Sequence, residues 1–322
     1  MKQINERTMT AVTAALLALC LCAAVLLGFV GYGREENEQT DGGSHTITED
    51  TPLDGVLSPD ESSDESSEEI PDDGESGENR PDEVETVPTL TDFLRAAMEP
   101  VGQCLYIYGG GWNEADDGAG IEAMTVGVSP RWKEFFDAHD EWYDYEDYLY
   151  NIHDGLDCTG LLGYAAYQVF GDRYSAGGYV FTSGTVGENY LRLFGGTLTP
   201  ADETDMHRAG DIMVIKGHVW LSFGECADGS VLILHSSPPN PTFSGTPVPG
   251  KQNGLSVSLA ERAMAAYAPE AYARYPHNCV RDMSFLIDYD RYTFPESVLP
   301  DKDGLREMSA DEVVAFLLGT NE

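Results

Sequence analysis

Hydrophobic and polar positions divide the chain into three unlike stretches. Thr8 to Gly33 carries no charged residue and is dominated by Ala, Leu and Val. Residues 34 to 88 contain no aromatic residue and little that is apolar. From 89 onward apolar positions recur with helical or strand periods, the pattern of a chain that buries a core. The clearest helical period runs through Leu161, Leu162, Ala165, Ala166, Val169 and Phe170, with Gly171 as a stop and Asp157 or Thr159 able to cap the start. Thr89–Met98 has the same period, with Thr91 or Asp92 as cap, and Leu259–Tyr272 is an Ala-rich helical run. Ser309 followed by Glu312 has the spacing of a capping box before a last helix.

Strand patterns fill much of the remainder. Alternation from Cys104 to Tyr108 ends in Gly109-Gly110-Gly111, which predicts a short strand closed by a tight turn. No Lys-Ser/Thr follows, so a phosphate loop is excluded. Ala209-Gly210-Asp211 leads into a strand reaching Lys216, and Val219, Leu221 and Phe223 share one face of the next. Asp228-Gly229 predicts a hairpin, with Val231–Ser237 as the returning strand. Met283–Tyr289 reads as a further strand. Helices mixed with antiparallel hairpins predict an α+β fold.

Charge assigns the first two stretches. Lys2 and Arg7 precede the 26 uncharged residues, and Glu35, Glu36 and Glu38 follow them. A helix of that length spans about 39 Å, enough to cross a bilayer. The expectation is a cytoplasmic N-terminus (1–8), a single transmembrane helix (9–33) and the remainder outside the cell membrane. A cleaved signal peptide is the competing reading, but no small-x-small site stands out before Gly31. Leu19 and Leu21 precede Cys20 and Cys22 where a lipoprotein site wants a small residue. Residues 34–88, with 20 Asp/Glu against Arg34 and Arg80, read as a disordered acidic linker.

The folded part, 89–322, carries 35 Asp/Glu against 14 Lys/Arg, which disfavours nucleic acid as a partner. Cys104, Cys158, Cys226 and Cys279 are too scattered for a disulfide framework. No Cys-x-x-Cys or His-Glu-x-x-His occurs, so no metal and no cofactor is expected.

The candidate chemistry lies in Cys158, His218 and His235. Cys158 falls at the start of the apolar helix, where free N–H groups and the helix dipole favour a thiolate. The bland alternative is a small buried cysteine. His218 opens one strand and His235 lies on the next, the order a thiolate, a base and an orienting group require. A two-residue turn at Asp228-Gly229 would set His235 opposite Ser222 and separate the two histidines by four residues, roughly 13 Å. A bulge or a longer loop must therefore shift the register, with Asn240 as the fallback orienter. His153 reads as a bystander. Residues between Trp112 and Leu156 crowd aromatic and acidic side chains together, which suits either a cleft wall or a core edge.

These residues resemble the NlpC/p60 family of papain-like cysteine peptidases. The resemblance runs through Tyr106–Gly110 (YIYGG), Leu156–Tyr167 (LDCTGLLGYAAY), Ala209–Ile215, Gly217–Gly224 (GHVWLSFG) and Val231–Ser236, in the family's order. It implies a papain-like core, with the nucleophile's helix packed on an antiparallel sheet. It also implies Cys158 as nucleophile, His218 as base, His235 as third member and Tyr106 lining the site or holding the oxyanion. Substrates would be peptidoglycan peptides, cut at amide bonds of the stem. Thr159 stands where the family has Ser, Ala209 where it has Pro, and Trp220 where a small residue is usual. An insertion over 113–155 and a C-terminal extension over 245–322 lie outside the pattern. Two other readings stand beside this one. One is a non-catalytic module that binds wall peptides or a partner; the other is an amidase or acyltransferase using the same thiolate.

Overall fold

A computed structural model describes residues 87–249 and 253–320. The predicted span over 9–33, and all but the last two residues of the predicted linker, lie outside these. Among the described residues no helix is long and apolar enough to cross a membrane.

The described chain is α+β. Its elements in order are α1 (Leu90–Met98), β1 (Leu105–Tyr106), α2 (Pro130–Asp137), β2 (Gly155–Leu156), α3 (Cys158–Phe170), α4 (Val186–Phe194) and β3 (Thr197–Thr199). Then follow β4 (Ile212–Ile215), β5 (His218–Glu225), β6 (Val231–Ser237), β7 (Asn240–Gly245), α5 (Leu255–Tyr267), α6 (Pro269–Arg274), β8 (Asp290–Thr293) and α7 (Ala310–Leu318). Six strands form one sheet in the order β3-β8-β4-β5-β6-β7, antiparallel throughout. β1 and β2 form a separate parallel pair.

Local chemistry accounts for most of the helix limits. Thr89 caps α1 in a reciprocal box with Asp92, so the cap lies two residues before the expected Thr91. Asp157 caps α3 by accepting from the Gly160 amide, and Gly171 ends it at φ +51°. The Ala-rich run forms two helices, because Pro269 has no N–H with which to continue the first. Ser309 and Glu312 close a capping box on α7.

One predicted strand is corrected. Met283–Leu286 is a 3-10 turn, because the Asp282 carboxylate accepts the Ser284 amide and diverts the backbone from a ladder. The strand of this region begins only at Asp290 and enters the sheet between β3 and β4.

The two sheet faces have different covers. Val219, Leu221, Phe223, Leu232, Leu234 and Phe243 share the main core with Leu94 of α1 and Leu162, Ala165 and Ala166 of α3. On the opposite face Met213, Trp220, Val231 and Ile233 lie under Tyr289, Phe285 and Leu286. The 113–155 insertion supplies Ala123 and Trp132 to a smaller core on the flank of α3, with Leu161 and Tyr164.

The start of α3 is fixed by close backbone approach. The Asp157 amide donates to the Gly110 carbonyl at 2.9 Å. A Cβ on Gly111 would lie 2.7 Å from the Gly160 Cα, and one on Gly160 would overlap the Gly110 carbonyl oxygen. The triple-glycine turn therefore serves contact with the helix rather than a ligand. The β1–β2 pair is tied to the β6–β7 hairpin in turn: Ser236 Oγ donates to the Leu156 carbonyl of β2 (2.7 Å) and the Tyr106 amide of β1 to the Pro239 carbonyl (2.9 Å). Replacing Gly160 by Ala should push two backbones apart and cost about 1–3 kcal/mol, read as a lower urea midpoint at unchanged m-value.

Candidate active site

The register of the β5–β6 hairpin decides where the two histidines meet. The loop holds three residues, Ala227–Gly229, because the Cys226 amide donates to the Ser230 carbonyl (2.7 Å). Gly229 takes the left-handed backbone (φ +79°) such a loop requires. The ladder then pairs Glu225 with Val231 but Ser222 with Ile233, so Phe223 and Gly224 together oppose Leu232. Gly224 accommodates this bulge at φ +101°. The sequence called for a bulge or a longer loop, and the hairpin has both. With Leu221 opposite Leu234, His235 stands opposite Trp220 and diagonal to His218. A diagonal pair is within reach of ring side chains. His218 Nε2 and His235 Nδ1 lie 2.9 Å apart.

Cys158 stands beside the first residues of β5. The Val219 amide, next in the chain after His218, points at the sulfur together with the Thr159 amide. Gly217, the residue before His218, lines a cleft of about 280 Å³ that Cys158 also lines. With Nε2 of His218 turned to His235, Nδ1 is the ring nitrogen not engaged by the pair. Cys158 is half-buried and opens on this cleft; His235 is 1 % exposed.

Tyr106 belongs to the same cleft. Burial, then the neighbouring Cys158, pushes its hydroxyl above the ordinary range, so it is a neutral hydrogen-bond donor at neutral pH. Its carbonyl accepts from Tyr143 of the insertion (2.7 Å) and its ring meets Tyr145 edge-on. Cys158 opens α3, so its own amide has no intrahelical acceptor.

Electrostatics here run against the expectation from the helix start. Burial, followed by the Asp157 carboxylate, pushes the Cys158 thiol up to about 12, despite the amides that favour the thiolate. Burial likewise raises Asp157 to about 6, against its bonds from Gly160 and Thr159 and from the Trp112 indole (3.0 Å). Burial and then Arg281 lower His218 to about 4, and the same causes hold His235 well below its usual value. At neutral pH the resting site is a thiol beside two neutral imidazoles.

Several residues of the site had no signal in the sequence pattern. Arg281 Nε donates to His235 Nε2 at 3.0 Å, and its Nη2 donates to Asn278 at 2.6 Å. The Phe285 ring lies 5.4 Å from both imidazoles. Both belong to the C-terminal extension. Tyr150, from the insertion, lines the cleft with its ring 5.3 Å from Tyr108 and its backbone at φ +61°. That conformation is costly for an aromatic residue and is held by its amide bond to the Tyr108 carbonyl (2.9 Å). Asn240 contacts neither imidazole; it is held by Asn278. His153 pairs with Glu122 instead. Cys104, Cys226 and Cys279 are free thiols, each buried. Among the described residues no group of His, Cys, Asp and Glu is placed to hold a metal ion.

Comparison of the chain with models of protein families, with characterised proteins and with solved structures finds no match in any of the three.

Asp157 offers a direct check on this charge balance. Asn in its place keeps an oxygen for the Gly160 amide and removes the negative charge beside the sulfur. Its thiol pKa should then fall, so alkylation of Cys158 by iodoacetamide should become faster at a given alkaline pH, with the rate profile displaced to lower pH.

Proposed function

We propose that this protein is a cysteine hydrolase with an NlpC/p60-like core that cuts amide bonds in peptidoglycan stem peptides. One observation carries the reading: a thiol at a helix start lines a cleft together with Gly217, the residue before His218, whose ring is hydrogen-bonded to that of His235. That is the set of parts nucleophilic acyl transfer needs, a nucleophile, a base and a group that orients the base. The segment 9–33 would anchor the chain and 34–88 would tether the domain outside the membrane.

In this reading His218 Nδ1 takes the thiol proton and the sulfur attacks the amide carbonyl. The Cys158 amide and the Tyr106 hydroxyl stabilise the oxyanion. The tetrahedral intermediate collapses with loss of the C–N bond, and the imidazolium gives its proton to the departing nitrogen. Water, deprotonated by the same imidazole, then hydrolyses the thioester, releasing a carboxylic acid and restoring the thiol. Tyr108 and Tyr150 form an aromatic wall of the cleft against which a substrate's apolar face packs.

A second reading has its own support. A thiol held up at about 12 beside an imidazole held down at about 4 suits a module that binds wall peptides without cutting them.

Incubating the protein with soluble muropeptides and weighing the products separates the two. Hydrolysis gives two fragments whose masses sum to the substrate plus one water, and Cys158→Ala should abolish it. An unchanged rate in that variant, or intact muropeptides with both the wild type and Arg281→Met, removes the hydrolase reading. Tyr150→Ala should raise KM by roughly two- to tenfold with kcat little changed, as loss of an aromatic contact shared by ground and transition states does.

A further inference from the structure

The hydrogen bonds around His235 have a direction that one of them imposes on the rest. A guanidinium has only N–H groups and can only donate. Arg281 Nε, 3.0 Å from His235 Nε2, therefore makes that nitrogen an acceptor without a proton. A neutral His235 then carries its proton on Nδ1 and donates it to His218 Nε2, 2.9 Å away. His218, neutral as well, must hold its own proton on Nδ1, the nitrogen left for the sulfur. A nitrogen that already bears a proton cannot accept the thiol's.

The opposite arrangement also has a partner waiting. Ser244 Oγ donates to the Asn278 carbonyl (2.7 Å) and keeps a lone pair 3.3 Å from His235 Nε2. If His235 carried its proton on Nε2, Ser244 would accept it. Nδ1 would then accept from His218 Nε2–H, leaving His218 Nδ1 bare toward the sulfur. The two arrangements differ only in proton positions, and Arg281 sits on the side of the first.

We propose that Arg281 is a latch residue: by donating to His235 Nε2 it holds the imidazole pair in the proton arrangement that cannot take up the Cys158 proton. This rests on the hydrolase reading of the same site and adds a form of regulation to it. Arg281 is a positioning residue, acting on His218 only through His235. Its segment lies at the surface and is held to β7 through the Arg281 amide, which donates to the Gly245 carbonyl at 3.0 Å. Val280, Asp282, Ser284, Ile287 and Asp288 are exposed, and the guanidinium is anchored through Asn278 and the Val280 carbonyl. The Phe285 ring caps both imidazoles from that segment, so release of Arg281 and uncovering of the pair go together.

Other titratable groups packed about the pair do not reproduce this effect. At the start of α3, Cys158 is a neutral thiol at pH 7, and the Asp157 carboxylate that caps the helix carries the opposite sign of charge to Arg281. Asp282 is turned to Ser284, while Cys279 and Tyr289 are neutral at pH 7. The neighbouring strand β7 contributes the Ser244 hydroxyl. Arg281 alone brings a positive charge.

The test reads proton positions first and reactivity second. In the full chain labelled with 15N-histidine, His235 should be the Nδ1–H tautomer at pH 7. In Arg281→Met, which keeps the length and removes charge and donor, it should convert to Nε2–H. The midpoint of the Cys158 alkylation profile should fall by about one pH unit or more, roughly tenfold in rate on the rising limb. Arg281→Lys, still a cationic donor, should stay near the wild type. Arg281→Met/Ser244→Ala, lacking the acceptor, should lose part of the gain.

An Nε2–H tautomer in the wild type overturns the proposal, and that measurement needs no variant to fold. So does an Arg281→Met profile that superimposes on the wild type at unchanged Tm. A shifted profile with no peptide cleavage in either protein would count against hydrolysis alone, leaving the proton arrangement in place.

Discussion

Each single residue added to one side of an antiparallel hairpin turns its side chains to the other face of the sheet. His218 and His235 can meet only if such additions come in pairs. The β5–β6 hairpin has two: the third loop residue, Ala227–Gly229, and the bulge at Phe223-Gly224. With either alone, His235 would stand opposite Leu221 and point into the main core. With both, it returns to the face of His218 two residues closer along the strand, and the rings come within a hydrogen bond. The start of α3, which carries Cys158, is fixed by a second set of short contacts, Gly110 and Gly111 against Gly160, and Leu156 against Ser236. The site thus depends on backbone spacing before any side-chain chemistry enters.

Within that frame, magnitudes explain why Cys158 rests as a thiol. A helix N-terminus contributes about 0.3–1 kcal/mol to an exposed charge and up to about 2 kcal/mol in a favourable, partly buried one, little more than one pKa unit. Full burial moves a titrating group by as much as 3–5 units. At Cys158 the two act in opposite directions, and burial wins with help from Asp157. Asp157 cannot be spared from the fold, since it caps α3 and receives the Trp112 indole. The residue that starts the helix therefore also works against ionisation of the one beside it.

Local patterns carried much of the fold and less of the site. The limits of α3, the Ser309 cap and the faces of β5 are fixed by residues near in sequence, where period and capping chemistry are readable. The joining of β8 to β4 is not, because Asp290–Thr293 pairs with residues some eighty positions earlier. Arg281 gave no sign of itself for the same reason: one arginine in an unpatterned surface stretch becomes notable only when folding brings it to His235. Tyr150 was hidden differently, since nothing in its neighbourhood announces a left-handed tyrosine. The thiol pKa was misjudged because dipoles are visible in a sequence and desolvation is not.

The position of β8 reaches beyond the site. It lies between β3 and β4, so the sheet's hydrogen-bond ladder is interrupted until residues 290–293 have left the ribosome. A nascent chain that has already made both histidines and the cysteine still presents β4 as an open edge, a template for pairing with other chains. The C-terminal region is thus no appendage to a finished fold. It is the keystone strand of the sheet, and the same stretch of chain that completes the fold delivers Arg281 to the histidine pair.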